Sequence, residues 1–265
     1  MARISVLMGI YNCAPYLQEA LDSLYAQTYQ DFKIILCDDG SKDDTYAIAQ
    51  KNAEEHGNIV LVRNEKNMGL NYTLNRCLEF ADTEYCARMD GDDISLPTRF
   101  EKEINFLDEH PEYAIVSCPM IYFDEKGEFG RGKAGGEPTK EVFNKKIPFC
   151  HAPCMVRTEA YKVVGGYTVD KRLLRNEDYN LWMKMYAMGY RGYNLIECLY
   201  SMRDDRNAVK RRTLKGRFNG VYAHWLAYRT LNLSFGGWLC FSVTNIAKGI
   251  MPKFMYEYFH KKSFS

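Results

Sequence analysis

Through its first two thirds this chain alternates short apolar runs of strand length with segments whose apolar residues recur at helical spacing, and that alternation leaves few folds open. It is the pattern of an α/β protein with a sheet of parallel strands. Strands are read at Ile4 to Met8, Phe32 to Cys37, Ile59 to Val62 and Tyr85 to Met89. Pro15 opens a helix whose Leu17, Ala20, Leu21 and Leu24 form a buried stripe. Ser41-Lys42-Asp43-Asp44 reads as an acidic capping box leading into Ile48 and Ala49. A third helix follows Gly69, with Leu70, Leu74, Cys77, Leu78 and Ala81 on one face, and a fourth follows Pro97, burying Phe100, Ile104 and Leu107. With 265 residues, 46% hydrophobic and 26% charged, the chain can bury one large core or two modest ones and is neither disordered nor fibrous.

In open sheets of this kind ligands collect at the carboxyl ends of the strands. The fourth strand runs straight into Asp90-Gly91-Asp92-Asp93, three carboxylates within four residues. Like charges that close call for a cation or many hydrogen-bond donors, and oxygen-only ligands suit a hard Mg²⁺ or Mn²⁺ that leaves positions open for phosphates. A plain Asp-Gly-Asp turn accounts for the same residues. An EF-hand loop starting at Asp90 fails, because Ile94 and Ser95 stand where an oxygen ligand and the turn glycine belong.

The first strand ends in Gly9-Ile10-Tyr11-Asn12 and the second in Asp38-Asp39-Gly40-Ser41, so three loops could form one pocket. There Tyr11 could stack on a base, Asp39 could accept a hydrogen bond from the base's ring N–H, and Asp92 with a metal could hold a diphosphate. Helix capping is the competing account of Asp38 and Asp39. Further on, Glu177-Asp178 precede Leu181, Trp182, Met183 and Met185 at helical spacing. Acids at a helix start are favoured by its dipole, and a carboxylate that takes a proton from an incoming hydroxyl would have the same local sequence.

Other chemistries find less support. No Walker loop is present, which argues against a P-loop kinase or ATPase. Gly130-Arg131-Gly132-Lys133-Ala134-Gly135 matches G-x-G-x-x-G but follows a charged stretch, and reads as a mobile loop. Nine cysteines without a C-x-x-C pair suit a reducing compartment, and Cys150, His151 and Cys154 lack the second pair that zinc needs. The first eight residues lack the apolar core and cleavage site of a signal peptide, so a cytoplasmic location is expected.

Taken in order, Ile4-Ser5-Val6-Leu7-Met8-Gly9-Ile10-Tyr11-Asn12, Asp38-Asp39-Gly40-Ser41, Asn67-Met68-Gly69-Leu70, Ala87-Arg88-Met89-Asp90-Gly91-Asp92-Asp93, Gly165-Gly166-Tyr167 and Glu177-Asp178-Tyr179-Asn180-Leu181-Trp182 resemble the family 2 glycosyltransferases. The resemblance spans roughly residues 3–212. It implies the GT-A fold, with a single Rossmann-like mixed, mainly parallel sheet flanked by helices, and inverting transfer of a sugar from a nucleotide-sugar donor to a hydroxyl of a saccharide or lipid-linked saccharide acceptor in surface polysaccharide synthesis. The expected donor is UDP-linked and the expected cofactor Mn²⁺ or Mg²⁺. By the same resemblance Tyr11, Asp39, Gly69, Arg88 and Asp90 contact the nucleotide-sugar, Asp92 ligates the metal with Asp90 assisting, and Asp178 is the catalytic base. Glu177 and His151 fall on the acceptor side, and Asp204 and Asp205 stand where many relatives carry a histidine. The expected division is a catalytic domain over 1–212 and a basic, amphipathic helical extension over 213–265.

From Arg206 to Ser265 eleven Lys or Arg stand against a single acid, Glu257, a charge of +10 against −9 for the rest of the chain. Trp225, Phe235, Trp238, Phe241 and Ile246 interleave with these bases, which suits an anionic membrane surface better than nucleic acid. Thr230 to Ala247 is uncharged but too polar for a stable span. With Pro252 and the residues to Lys262 it reads as one or two amphipathic helices over 230–262. These would dock at the cytoplasmic face of the membrane, or else cover the catalytic domain or a homodimer partner. Two rival functions stay open: a nucleotidyltransferase forming nucleotide-sugars, which would not need Asp178 as a base, and a non-catalytic sugar-nucleotide-binding scaffold.

Overall fold

The computed structural model describes residues 2–203 and 213–250; Asp204, Asp205 and the segment from Pro252 to Lys262 lie outside the described residues. The first half builds the expected alternation: β1 (Ile4–Ile10), α1 (Ala14–Tyr25), β2 (Phe32–Asp38), α2 (Thr45–Glu55), β3 (Ile59–Arg63), α3 (Leu70–Leu78), β4 (Tyr85–Arg88), β5 (Ile94–Ser95) and α4 (Arg99–Glu109). There follow β6 (Ile115–Ser117), β7 (Met120–Asp124), β8 (Gly127–Arg131), β9 (Met155–Arg157), α5 (Thr158–Val164), α6 (Glu177–Ala187), β10 (Gly192–Asn194), β11 (Tyr200–Arg203), α7 (Leu214–Leu231) and α8 (Phe235–Ile250). A short 3-10 turn at Lys171–Leu173 precedes α6, and another lies at Lys140–Asn144.

Seven strands form the main sheet in the order β10-β6-β9-β4-β1-β2-β3. β1 runs parallel to β2 and β4, and β2 parallel to β3, while β9 lies antiparallel between β4 and β6. Side chains of a strand alternate between faces. Ile4, Val6, Met8 and Ile10 therefore join Leu17, Leu21, Phe100 and Ile104 in one core, while Leu7 joins Ile35, Leu74, Tyr161 and Trp182 in the other. A sheet covered on both faces makes its central strands continuously apolar, which is why they stand out in the sequence. The order β4-β1-β2 also sets three strand ends side by side, bringing residues 10–12, 38–41 and 88–93 to one edge.

The structure adds a second, four-stranded sheet in the order β5-β11-β7-β8. β5 pairs with β11 through Ser95 with Tyr200 and Ile94 with Ser201, a contact between distant segments that no local pattern announces. Gly130 and Arg131, expected in a mobile loop, instead end β8, which pairs with β7 across a tight turn where Gly127 takes φ 105°. The expected capping box is rearranged as well. Ser41 Oγ accepts the Asn12 N–H at 3.0 Å, so Asp43 rather than Ser41 receives the Thr45 N–H, at 3.1 Å.

The uncharged stretch 230–247 divides into two helices: α7 ends at Leu231, Asn232 turns left-handed at φ 51°, and α8 starts at Phe235. α7 buries Ala223, Ala227 and Leu231 in the core that holds Tyr179 and Trp182. α8 packs on α7, where Asn245 Nδ2 donates to the Arg217 carbonyl at 2.9 Å. No described helix is long and apolar enough to cross a membrane.

Candidate functional site

The loops after β1 and β2 are fastened to each other. Asn12, left-handed at φ 48°, gives its N–H to Ser41, and its Oδ1 accepts the Lys42 N–H at 2.9 Å. Asp39 does not cap a helix. Its Oδ1 accepts from the Met68 N–H at 2.8 Å and from Asn64 Nδ2 at 2.9 Å, and its Oδ2 from the Gly69 N–H at 2.9 Å, so the carboxylate grips the turn into α3. Asp38, fully buried, accepts the Ser41 N–H and pairs with Arg63 at 3.1 Å. Gly40 has no substitute here: at φ 72° a Cβ would come within 2.7 Å of the Lys66 backbone. Tyr11, 44% exposed, is left facing solvent beside Asp39, whose N–H donates to the Ile10 carbonyl.

At the end of β4 the buried Arg88 forks onto both oxygens of Asp90, at 2.7 and 2.6 Å. Gly91 lets the chain pass under α1's entry, since a Cβ there would lie 2.8 Å from Cys13 Sγ and 2.9 Å from Ile10 Cγ2. Asp93 turns inward and accepts the Arg203 N–H at 2.8 Å, while burial and the charges of Asp90 and Asp92 push its pKa well up. Asp92 is pushed up to about 6, by burial first and then by Asp90, with the charges of Arg88 and Arg203 opposing.

Glu177 and Asp178 open α6. Asp178 Oδ1 accepts the Tyr179 N–H at 2.7 Å; burial raises its pKa, and that N–H and the charge of Arg88 partly offset the effect. Glu177 is pushed up to about 7 by burial and by Asp178, and its Oε2 finds no hydrogen-bond partner among the described residues. The charge of Arg88 therefore acts on Asp92, Glu177 and Asp178 alike. Arg88, which touches Asp90, is thus the charge that the strand-end acids and the helix-start acids have in common in this candidate site. His151 adjoins it: Nε2 is 2.8 Å from the Tyr167 hydroxyl, the ring sits edge-on to Trp182, and burial followed by the Arg88 charge holds its pKa well below the usual value. A neutral histidine so placed braces the wall.

No cluster of three ligand side chains forms among the described residues. Asp90 has both oxygens on Arg88, whereas the Asp92 carboxylate has no side-chain donor among them. A hard divalent cation would find one direct carboxylate there and take its remaining oxygens from phosphate and water, a donor set that fits Mn²⁺ or Mg²⁺.

The model of glycosyl transferase family 2 matches residues 5–165. The chain belongs to this family. It is 38% identical over 261 residues to the candidate glycosyltransferase EpsE of Bacillus subtilis, across 98% of this chain and 94% of that one. It is 29% identical over 274 residues to the UDP-Gal:alpha-D-GlcNAc-diphosphoundecaprenol beta-1,3-galactosyltransferase of Escherichia coli, across 98% of this chain and 96% of the relative. The mannosyltransferase PcManGT of Pyrobaculum calidifontis, solved with GDP-Man and Mn²⁺, superposes with a TM-score of 0.65 at 18% identity over 96% of this chain and 82% of that chain. Such a likeness shows the fold, which is GT-A.

In this family 2 glycosyltransferase two residues beside the candidate site had been given no role from the sequence. Arg203, at the end of β11, gives its N–H to Asp93, its Nε to the Asp92 carbonyl at 3.0 Å and its Nη2 to Glu19 at 2.5 Å, and so fixes the acidic loop from outside. The Tyr200 hydroxyl receives the Asp90 N–H at 3.1 Å. Both come from the second sheet, whose pairing alone brings them there.

Proposed function

We propose that this glycosyltransferase transfers a sugar from a UDP-sugar, with inversion, to a hydroxyl of a lipid-linked saccharide, in surface polysaccharide synthesis at the cytoplasmic face of the membrane. The observation that carries the reading is the buried Arg88, which clamps Asp90 on both oxygens two residues before Asp92 and whose charge also lowers the pKa of Asp178. A donor-holding loop and a base within reach of one buried cation are what a single displacement needs.

Tyr11 offers its open face to the nucleobase, and Asp39 shapes the pocket's rim by holding Met68 and Gly69. Asp90, neutralised by Arg88, does not repel an incoming diphosphate. Asp92 would hold the Mn²⁺ or Mg²⁺, which when bound supplies positive charge to the departing nucleoside diphosphate. Asp178 takes the proton of the acceptor hydroxyl; the Tyr179 N–H pins one oxygen and so orients the other, and burial makes the carboxylate more basic. Glu177, with an oxygen unpartnered among the described residues, is placed to hold the acceptor. Contact with an anionic bilayer is supported by the exposed Phe218, Trp225, Phe235, Leu239 and Val243 on α7 and α8, set among Lys215 and Arg229.

The test is UDP release from a panel of UDP-sugars, with and without Mn²⁺ and a diphosphate-linked acceptor, for wild type, Asp92→Ala and Asp178→Ala. Both variants should fall to background. Equal turnover in all three proteins sinks the mechanism, and pyrophosphate formation from UTP and a sugar 1-phosphate would favour a nucleotidyltransferase.

A further inference from the structure

The C-terminal helices hold the start of α6 through a row of rings. Tyr179 follows Asp178 in the chain and donates its N–H to Asp178 Oδ1 at 2.7 Å. Its side chain is fixed at the tip, at the edge and on one face. The hydroxyl donates to the Phe143 carbonyl at 2.8 Å, the ring meets Phe143 edge-on with centroids 5.2 Å apart, and it stacks on His224 of α7 at 5.3 Å. His224 in turn stacks on Phe241 of α8, with centroids 3.6 Å apart and planes within 1° of parallel. Three rings therefore run from α8 to the residue beside the proposed base.

The middle ring acts by its shape. His224 is 2% exposed, and neither of its nitrogens has a hydrogen-bond partner among the described residues. Burial holds its pKa down at about 4, so the ring is neutral at ordinary pH and puts no charge beside α6. Two buried polar atoms without partners cost stability, and a purely apolar ring in the same place would avoid that cost. The seat is secured from a second side as well. Lys140 Nζ donates to the Leu231 carbonyl at 3.4 Å, and Asn144 fills the space that a Cβ at Gly237 would need. The 3-10 turn that carries Phe143 is thus fastened to α7 and to α8.

We infer that His224 is a positioning residue for the proposed base: it holds Tyr179, and through the Tyr179 N–H it fixes how the Asp178 carboxylate is turned, so that the seating of α7 and α8 enters the transfer step. The inference rests on the glycosyl-transfer reading, in which Asp178 takes the proton of the acceptor hydroxyl. A misplaced base loses rate rather than affinity. A loosened N–H also raises the proton affinity of Asp178, because a hydrogen bond to a carboxylate favours its charged form. The charge of Arg88 acts on the same carboxyl, and the Asp178 charge acts on Glu177 and on the Cys150 thiol. None of these groups belongs to α7 or α8, so a change at His224 leaves them in place.

The test is acceptor-dependent UDP release measured against pH for wild type, His224→Ala, Phe241→Ala and the ring-keeping His224→Phe, with Asp178→Asn as reference. In each alanine variant kcat at neutral pH should fall about tenfold while KM for the UDP-sugar stays within about twofold. The acidic limb of the kcat profile, which belongs to Glu177 and Asp178 together, should move up by about half a pH unit or more. His224→Phe should restore both the rate and the limb. Phe241 is only half-buried, so Phe241→Ala carries the test if His224→Ala does not fold. A mere loss of folded protein lowers kcat by one factor at every pH and leaves the limb in place; that result overturns the inference. So does a wild-type kcat in either alanine variant, or a loss in His224→Phe as large as in His224→Ala. If Asp178→Asn keeps the wild-type profile, the base assignment itself fails; if Asp178→Asn is inactive while the ring variants behave as wild type, only the positioning role fails.

Discussion

The carboxylates at the strand ends and those at the start of α6 are treated oppositely by the fold. Asp39 accepts three protein donors and Asp90 is clamped on both oxygens by Arg88. Glu177 keeps an oxygen unpartnered among the described residues, and Asp178 receives one N–H from its neighbour while burial raises its pKa. Asp92 sits among the strand-end acids but behaves like the second group, pushed up to about 6. A carboxylate already satisfied by the protein shapes its surroundings, whereas one buried short of partners is held ready for a proton or a cation.

The sharpest way to break this contrast is to neutralise one acid of each kind. Asp178→Asn removes the base but keeps its shape, so kcat for transfer should fall about a thousandfold, within the range of general-base losses. Thermal unfolding should be unchanged or shifted slightly upward, because a buried charge has gone. Acceptor-dependent UDP release and a melting curve on the same protein decide it. A variant that keeps more than a tenth of wild-type kcat would remove Asp178 from the base role.

Asp90→Asn should do the reverse to stability. It strands the buried Arg88, whose guanidinium has no other acid at salt-bridge distance among the described residues. Breaking such a pair costs roughly 3 kcal/mol, the low end for buried pairs because Asp90 is partly exposed. For a chain of this size that is a fall in Tm of about 6–12 °C. An unchanged Tm would mean that Arg88 is stabilised by its surroundings and not by Asp90.

Much of this was legible in the sequence where the cause is local. The core strands and the stripes of α1, α3 and α4 could be read because burial on both faces of a sheet and one face of a helix imposes a period on neighbouring residues. Asp92 and Asp178 could be singled out because acids at a strand end and a helix start are conspicuous. What Asp39 grips, and that Arg203 holds the acidic loop, could not be read, since both depend on chain segments meeting from far apart. The rearranged cap shows the same limit on a small scale: Ser41 has the right spacing for α2, yet its hydroxyl is taken by Asn12 from another loop.

The smallest expected effect is also the most specific to the unsatisfied group. Burial and the Asp178 charge push Glu177 from 4.5 up to about 7. Between those two values the folded carboxyl binds its proton more tightly than the unfolded chain does, so folded-state stability falls as pH rises across the window. Glu177→Gln keeps the shape and removes the charge. Its Tm should match wild type near pH 4.5, where both are uncharged in the fold, and exceed it by a few degrees at pH 8, where only wild type must hold a buried anion. Solvent reaching the half-buried side chain keeps the gain small. Melting curves at the two pH values give the answer: a gain of equal size at both would trace to packing, and only one that appears with rising pH marks Glu177 as a carboxylate the fold has left unpaired.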